Sequence, residues 1–327
     1  MKISTTQFIG TSFQLGLLVH FPTKHNELNR AEILNWSSRF DCPDLLHLDL
    51  IELFERSIQR IVRNRKIKII ACIEESVAAL ISVAFDYPNT FISLIFKENL
   101  QLAFVEDIEI LRTKDHLQER TLRALYRTIL SLHFDRFYSM QTHALFQTIF
   151  TPIDISVMFE FNMNYLEVLT CDRCLLETFR LLIIELIVHE RIFHVKFNSE
   201  SPLNRPGAFN INFFSNLLRG KYKKLKLDLN RLGFDKLDVI YLDYLAQMLI
   251  RRSAQILSCL IVTLSDRYNE ENITIAIDSY LYNFCPIYHL SLQNEIERLC
   301  KKWITNFHLV SSTNKSYVSH KSTNSFI

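Results

Sequence analysis

Glycine is scarce, at five residues in a chain of 327. That disfavours architectures punctuated by glycine turns, such as nucleotide-binding loops, β-sandwiches and propellers, and suits helices joined by short polar loops. Neither GxGxxG nor GxxxxGK(S/T) occurs, so a phosphate-cradling loop of known type is lacking. No apolar run approaches the ~18 to 20 residues that a membrane-crossing helix needs; Leu181 to Val188, for instance, is interrupted by Glu185. The N-terminus carries Lys2 and a patchy apolar stretch from Phe8 to Phe21, without the core or cleavage site of a signal peptide. The seven cysteines are odd in number and scattered, which points to reduced thiols in an intracellular protein, not to a disulfide framework. A Lys/Arg-rich tail is also missing, and the net charge is only +2.

Apolar residues are plentiful, at 48%, and a chain of this length can bury a substantial core in two or three domains. Its cations are unevenly placed. Arg56, Arg60, Arg63, Arg65, Lys66 and Lys68 form one stretch without an acid, and Arg219, Lys221, Lys223, Lys224 and Lys226 form another. Local concentration of charge, more than net charge, decides whether a phosphate backbone can be held. Leu242, Leu245, Leu249, Ile256, Leu260 and Leu264 recur at helical intervals, which predicts a long amphipathic helix; Arg252 falls near that stripe. A polar linker at Asn198 to Gly207, with Pro202 and Pro206, marks the clearest boundary. The end, from Ser311 onward, is rich in Ser, Asn and Lys and is expected to be disordered.

One cluster suggests a metal. Cys171-x-x-Cys174 followed by His189 and His194 falls within the spacing of a Cys2His2 zinc site. The interval Leu175 to Val188 is nearly all apolar, so packed cysteines and histidines are the competing reading. His189 and His194 are one residue too far apart for HExxH, and no catalytic triad stands out. The 25 Phe and 12 Tyr are expected to fill helix-crossing cores.

Three stretches resemble core histones. Phe209 to Tyr222, followed by Tyr244-Leu245-Ala246, Leu249, Ala254, Ile256-Leu257 and Ile273, is similar to histone 2A. Tyr126 to Asp135, Thr170-Cys171-Asp172 and Glu177 to Leu186 resemble histone 2B, with Ser139 expected as a helix cap. Ile58 to Arg63, Lys68 to Ile70, the helix start at Glu74-Glu75-Ser76, and Asp107-Ile108 resemble histone 4. The resemblance implies an all-α chain: an unassigned segment at 1–45, histone-like folds at 46–115, 120–197 and 207–300, the last two clasped together, and a disordered tail at 308–327. Pro88 and Pro152 would then lie inside long helices, where each would force a kink.

Such tandem histones occur in large DNA viruses. The function this resemblance implies is non-catalytic, sequence-nonspecific compaction of double-stranded DNA without a cofactor, in a nucleus or virion. Arg60, Arg63, Arg65, Lys66, Lys68, Arg123, Arg127, Arg219, Lys221, Lys223, Lys224 and Lys226 would contact the DNA, and a histone-3-like partner would complete the first fold. Self-association is allowed for, and no membrane partner is expected. Two alternatives stand beside it: a histone-fold scaffold of a chromatin or transcription complex, and a zinc-binding regulator built on Cys171, Cys174, His189 and His194.

Overall fold

Thr90–Phe96 reads TFISLIF, a β-branched and aromatic run with every residue buried. A strand buried on both faces has this continuous apolar character. It is the middle strand of a five-stranded sheet, and with it the all-α expectation fails. In the computed structural model the described residues are 12–36, 42–62, 66–108, 127–134, 151–190, 192–195, 197–268, 270–300 and 306–312. They divide between two compact units, Met1–Ala78 and Ala79–Ile327. The fold is mixed α/β.

In the first unit, β1 (Ser12–Val19) pairs in parallel with β4 (Lys66–Glu74), Val19 opposite Glu74. Between them lie the antiparallel hairpin β2 (Thr23–Glu27) and β3 (Arg30–Ile33), then helix α1 (Leu50–Ile61). Asp49 caps α1 by accepting from the Ile51 amide. Val19, Phe21, Ala31, Ile33, Leu50, Ile51, Ile69 and Cys72 form the core of this unit. Helix α2 (Glu75–Ala84) follows β4 without a loop.

The second unit is built on β5 (Thr90–Phe96), β6 (Leu100–Asp107), β7 (Arg127–His133), β8 (Asn272–Asp278) and β9 (Asn306–Ser311), in the order β7-β6-β5-β8-β9. Neighbours β5, β8 and β9 run parallel, whereas β6 and β7 are antiparallel. The helices are α3 (Pro152–Phe161), α4 (Tyr165–Thr170), α5 (Asp172–Glu185), α6 (Ile211–Leu218), α7 (Tyr222–Leu232), α8 (Asp238–Ser265), α9 (Tyr280–Phe284) and α10 (Pro286–Leu299). Their apolar faces and the sheet share one core, in which Phe179 meets Phe209 and Phe214 edge-on.

The expected long helix is present as the 28 residues of α8, but it is not half of a histone clasp. Leu242, Ala246, Leu249, Ser253 and Leu257 are buried, and α8 packs on α10, α6, α4, α5 and β5 of a sheet-containing unit. By length and composition α8 could cross a membrane, yet half of its apolar window is buried inside the protein. Among the described residues the other two long histone helices do not form. In the histone-4-like stretch α2 stops at Ala84, Pro88 lies in the turn before β5, and Asp107 ends a strand. Pro152 is not inside a helix but starts α3, where the missing amide costs nothing; Thr151 and Asp154 close a capping box there. Residues 308–311, assigned to a disordered tail, pair with β8 in β9; Ser139 and 313–327 lie outside the described residues.

Candidate active site

In open α/β sheets, ligands gather beyond the carboxyl ends of parallel strands. Each unit of this chain brings polar side chains to such an end.

In the first unit β1 ends at Val19 and β4 at Glu74, so His20, Thr23, Glu74 and Glu75 come together. Glu74 is buried; its Oε1 accepts from both the Thr23 amide and the Thr23 hydroxyl, each at 3.1 Å. Thr23 Oγ1 also lies 2.8 Å from His25 Nε2. Glu75 is different. Its side chain is 15% exposed, and its Oε2 lies 2.6 Å from Nδ1 of the far more exposed His20. The pair therefore contains one carboxylate fixed by the hairpin and one that solvent and a ligand can reach. Glu75 also opens α2, where the helix dipole favours an anion. Beneath them burial, with Glu74 next, pushes the Cys72 thiol up to about 11, so it is not a thiolate nucleophile at neutral pH.

In the second unit β5 ends at Phe96 and β8 at Asp278. Lys97, the first residue past β5, pairs with Asp278 Oδ2 at 2.5 Å and lies 5.6 Å from the Tyr280 ring centroid. Asn283 and Ser311 complete the edge: Ser311 Oγ donates to Asn283 Oδ1 at 2.6 Å. Asp172, at the start of α5, accepts from the Ser279 hydroxyl at 2.8 Å and from the Tyr280 amide at 2.6 Å. Burial outweighs those donors and pushes its carboxyl up to about 8. Between the unfolded carboxyl value, near 4, and about pH 8, the folded chain holds a proton that the unfolded chain releases, so stability falls as pH rises through that window. Asp172→Asn, which mimics the neutral acid, removes that dependence. Urea unfolding at pH 5 and pH 8.5 should show wild type losing stability relative to Asp172→Asn, by at most about 1.4 kcal/mol per pH unit. Equal slopes for the two proteins would refute the assignment.

The residues singled out from sequence fall elsewhere. Arg60 lies on the exposed face of α1, and Lys66 and Lys68 belong to β4. Arg127, on β7, pairs with Asp107 at 3.1 Å and lies over the Phe91 ring. Arg219 and Lys221 link α6 to α7, on which Lys223, Lys224 and Lys226 are exposed. Crowding by Arg219 lowers the Lys221 pKa. Arg63, Arg65 and Arg123 lie outside the described residues.

The zinc alternative also fails. Cys171 and Cys174 are fully buried in the core, where desolvation holds both thiols protonated, whereas the His189 and His194 side chains are mostly exposed. Missed in the sequence was the carboxylate pair Glu74-Glu75. Its signal was present: two acids directly after the β-branched run Ile67–Ile73, read only as a helix start.

Residues 139–319 match the family profile described as hexokinase, and residues 2–85 match a second profile with the same description. The chain belongs to the hexokinase family. Among its relatives is a hexokinase of Brugia malayi, 22% identical over 293 residues, which cover 87% of this chain and 50% of that protein. A hexokinase of Schistosoma mansoni is 21% identical, over 89% of this chain and 64% of its own length. The chain thus spans only about half to two thirds of these relatives. The structure described as hexokinase from Schistosoma mansoni complexed with glucose superposes with a TM-score of 0.77 at 20% identity, covering 93% of this chain and 68% of that one; it shares the fold. These findings overturn the histone resemblance and what it implied: a chromatin protein or scaffold, DNA and a histone-3-like chain as partners, and a protein without catalysis. Hexokinases are enzymes, and neither DNA nor a histone partner has any support.

Proposed function

We propose that this chain transfers a phosphoryl group from a nucleoside triphosphate to a hydroxyl of a hexose, with the first-unit carboxylates handling the sugar. The observation that carries this reading is the Glu74–Glu75 pair at the ends of parallel β1 and β4. A sugar hydroxyl is a poor nucleophile until a base accepts its proton, and a reachable carboxylate supplies that base. Glu75 takes the proton as the sugar oxygen forms its bond to phosphorus and the bond to the departing nucleoside diphosphate breaks. His20, 2.6 Å away, holds the carboxylate in one orientation. Glu74, anchored by Thr23, keeps the hairpin against the strand end. Membership of the hexokinase family and the glucose complex of the Schistosoma mansoni structure support a hexose as acceptor.

The test is direct. The purified chain is incubated with ATP, Mg2+ and a panel of aldohexoses and ketohexoses, and sugar phosphate is measured by coupled assay. Turnover of at least one hexose is expected; none, with no sugar binding by calorimetry, would remove the proposal. The seven cysteines are scattered and odd in number, which supports a reducing compartment as the place of action. The nuclear or virion location rested on the histone resemblance and loses its basis with it.

A further inference from the structure

His194, Asp235 and Asp238 form a group that neither strand-end cluster uses. One ligand atom from each lies within 4.8 Å of the other two. His194 comes from the 192–195 segment, Asp235 from the turn before α8, and Asp238 is the first residue of α8. Each acid uses one oxygen for the helix and turns the other to the histidine. Asp235 Oδ1 accepts the Leu237 and Asp238 amides at 2.7 and 2.9 Å, while its Oδ2 lies 3.7 Å from His194 Nδ1. Asp238 Oδ2 accepts the Asp235 amide at 2.9 Å. Its Oδ1 receives the His194 amide at 3.2 Å and lies 3.4 Å from His194 Nδ1.

The spacing suits a shared ion better than direct hydrogen bonds. An imidazolium–carboxylate hydrogen bond closes to about 2.7–2.9 Å, and neither oxygen comes that near. Ligand atoms sharing a tetrahedral ion with bonds of about 2.0–2.1 Å stand about 3.4 Å apart. The backbone around the triad is held on several sides. Phe193 is wedged between the Phe234 and Tyr241 rings, Val195 packs at Gly233, and the backbone amides fix both carboxylates, as outer-shell donors do around metal ligands.

We propose that His194 Nδ1, Asp235 Oδ2 and Asp238 Oδ1 bind one divalent first-row metal ion, Zn2+ foremost, with water in the fourth position. The ion clips the 192–195 segment to the first turn of α8. One nitrogen and two oxygens suit zinc better than magnesium or calcium, which want oxygen shells. This site shares only His194 with the Cys2His2 pattern.

The test uses the full chain stripped with chelator. Calorimetry with Zn2+ should give one ion per chain, and Co2+ should give the visible absorption of a tetrahedral site. His194→Ala and Asp235→Asn should each weaken zinc binding at least tenfold; asparagine keeps the capping oxygen, and circular dichroism confirms that both variants are folded. Excess Mg2+ should not compete. No saturable zinc binding, binding that survives both substitutions, or displacement by Mg2+ would overturn the assignment.

Discussion

Asp154→Ala should lower the unfolding free energy by about 3–5 kcal/mol, because it strands a charge inside the protein. The Asp154 side chain is fully buried and receives Arg252 through two parallel bonds of 2.8 Å, Nη1 to Oδ2 and Nη2 to Oδ1. Its Oδ2 also accepts the Thr151 amide and hydroxyl in the box that starts α3, so the substitution costs about a further 1 kcal/mol in capping. Against a typical domain stability of roughly 5–15 kcal/mol, that is a large share. The pair ties α3 to the middle of α8, across 98 residues of sequence. Urea unfolding of the single variant and of Asp154→Ala with Arg252→Met checks the cause. The second substitution removes the stranded guanidinium and should recover part of the loss. A single variant within 1 kcal/mol of wild type, or a double variant less stable than the single, would contradict the account.

That ion pair also shows what a sequence reading can and cannot reach. The helical stripe of α8 is legible because a period near 3.6 survives over 28 residues. The cation at Arg252 is not, since its partner lies 98 residues upstream and nothing local announces it. The helix start at Glu75 is legible as well. The sheet is the opposite case. Thr90–Phe96, Leu100–Val105 and Ile273–Ile277 are short, mostly apolar runs, and such runs fit a buried strand or a buried helix turn equally by periodicity. Their β-branched and aromatic content, with Pro88-Asn89 before the first and Lys97 to Asn99 after it, favours strands. Fitting them to a helical template hid that signal. A short histone pattern carries few fixed residues, so three loose matches in tandem reinforced one another without being independent.

The strand-end clusters were harder to see, for a topological reason. Lys97 and Asp278 meet at 2.5 Å only because β5 and β8 are neighbours in the sheet, although 180 residues separate them in sequence. Asp172 reaches Ser279 and Tyr280 from the start of α5, with more than a hundred residues between. Scarce glycine was read as favouring helices joined by short polar loops, and here it misled: three of the four described glycines serve left-handed turns at positions 207, 220 and 233, and the five-stranded sheet needs none of them. Composition constrained the turns and said nothing about the sheet.

Glu75→Gln should lower kcat for hexose phosphorylation by about 10²- to 10⁴-fold, the range that loss of a positioned general base produces, while KM for the sugar changes little. The asymmetry follows from the two carboxylates. Glutamine keeps the shape and can still accept a hydrogen bond from His20 or a sugar hydroxyl, so ground-state binding persists; it cannot take the proton. Glu74→Gln tests the other role. Glu74 Oε1 holds Thr23 through two bonds, so its loss should loosen the hairpin and raise KM as well as lower kcat. Measuring kcat and KM separately for both variants distinguishes a base from an anchor. His20→Ala supplies a third point: with its partner gone, Glu75 keeps its charge but loses a fixed orientation, and the drop in kcat should be smaller than that of Glu75→Gln. If Glu75→Gln retained wild-type kcat, the proton would have to leave by another route, and the strand-end carboxylates would be structural in origin.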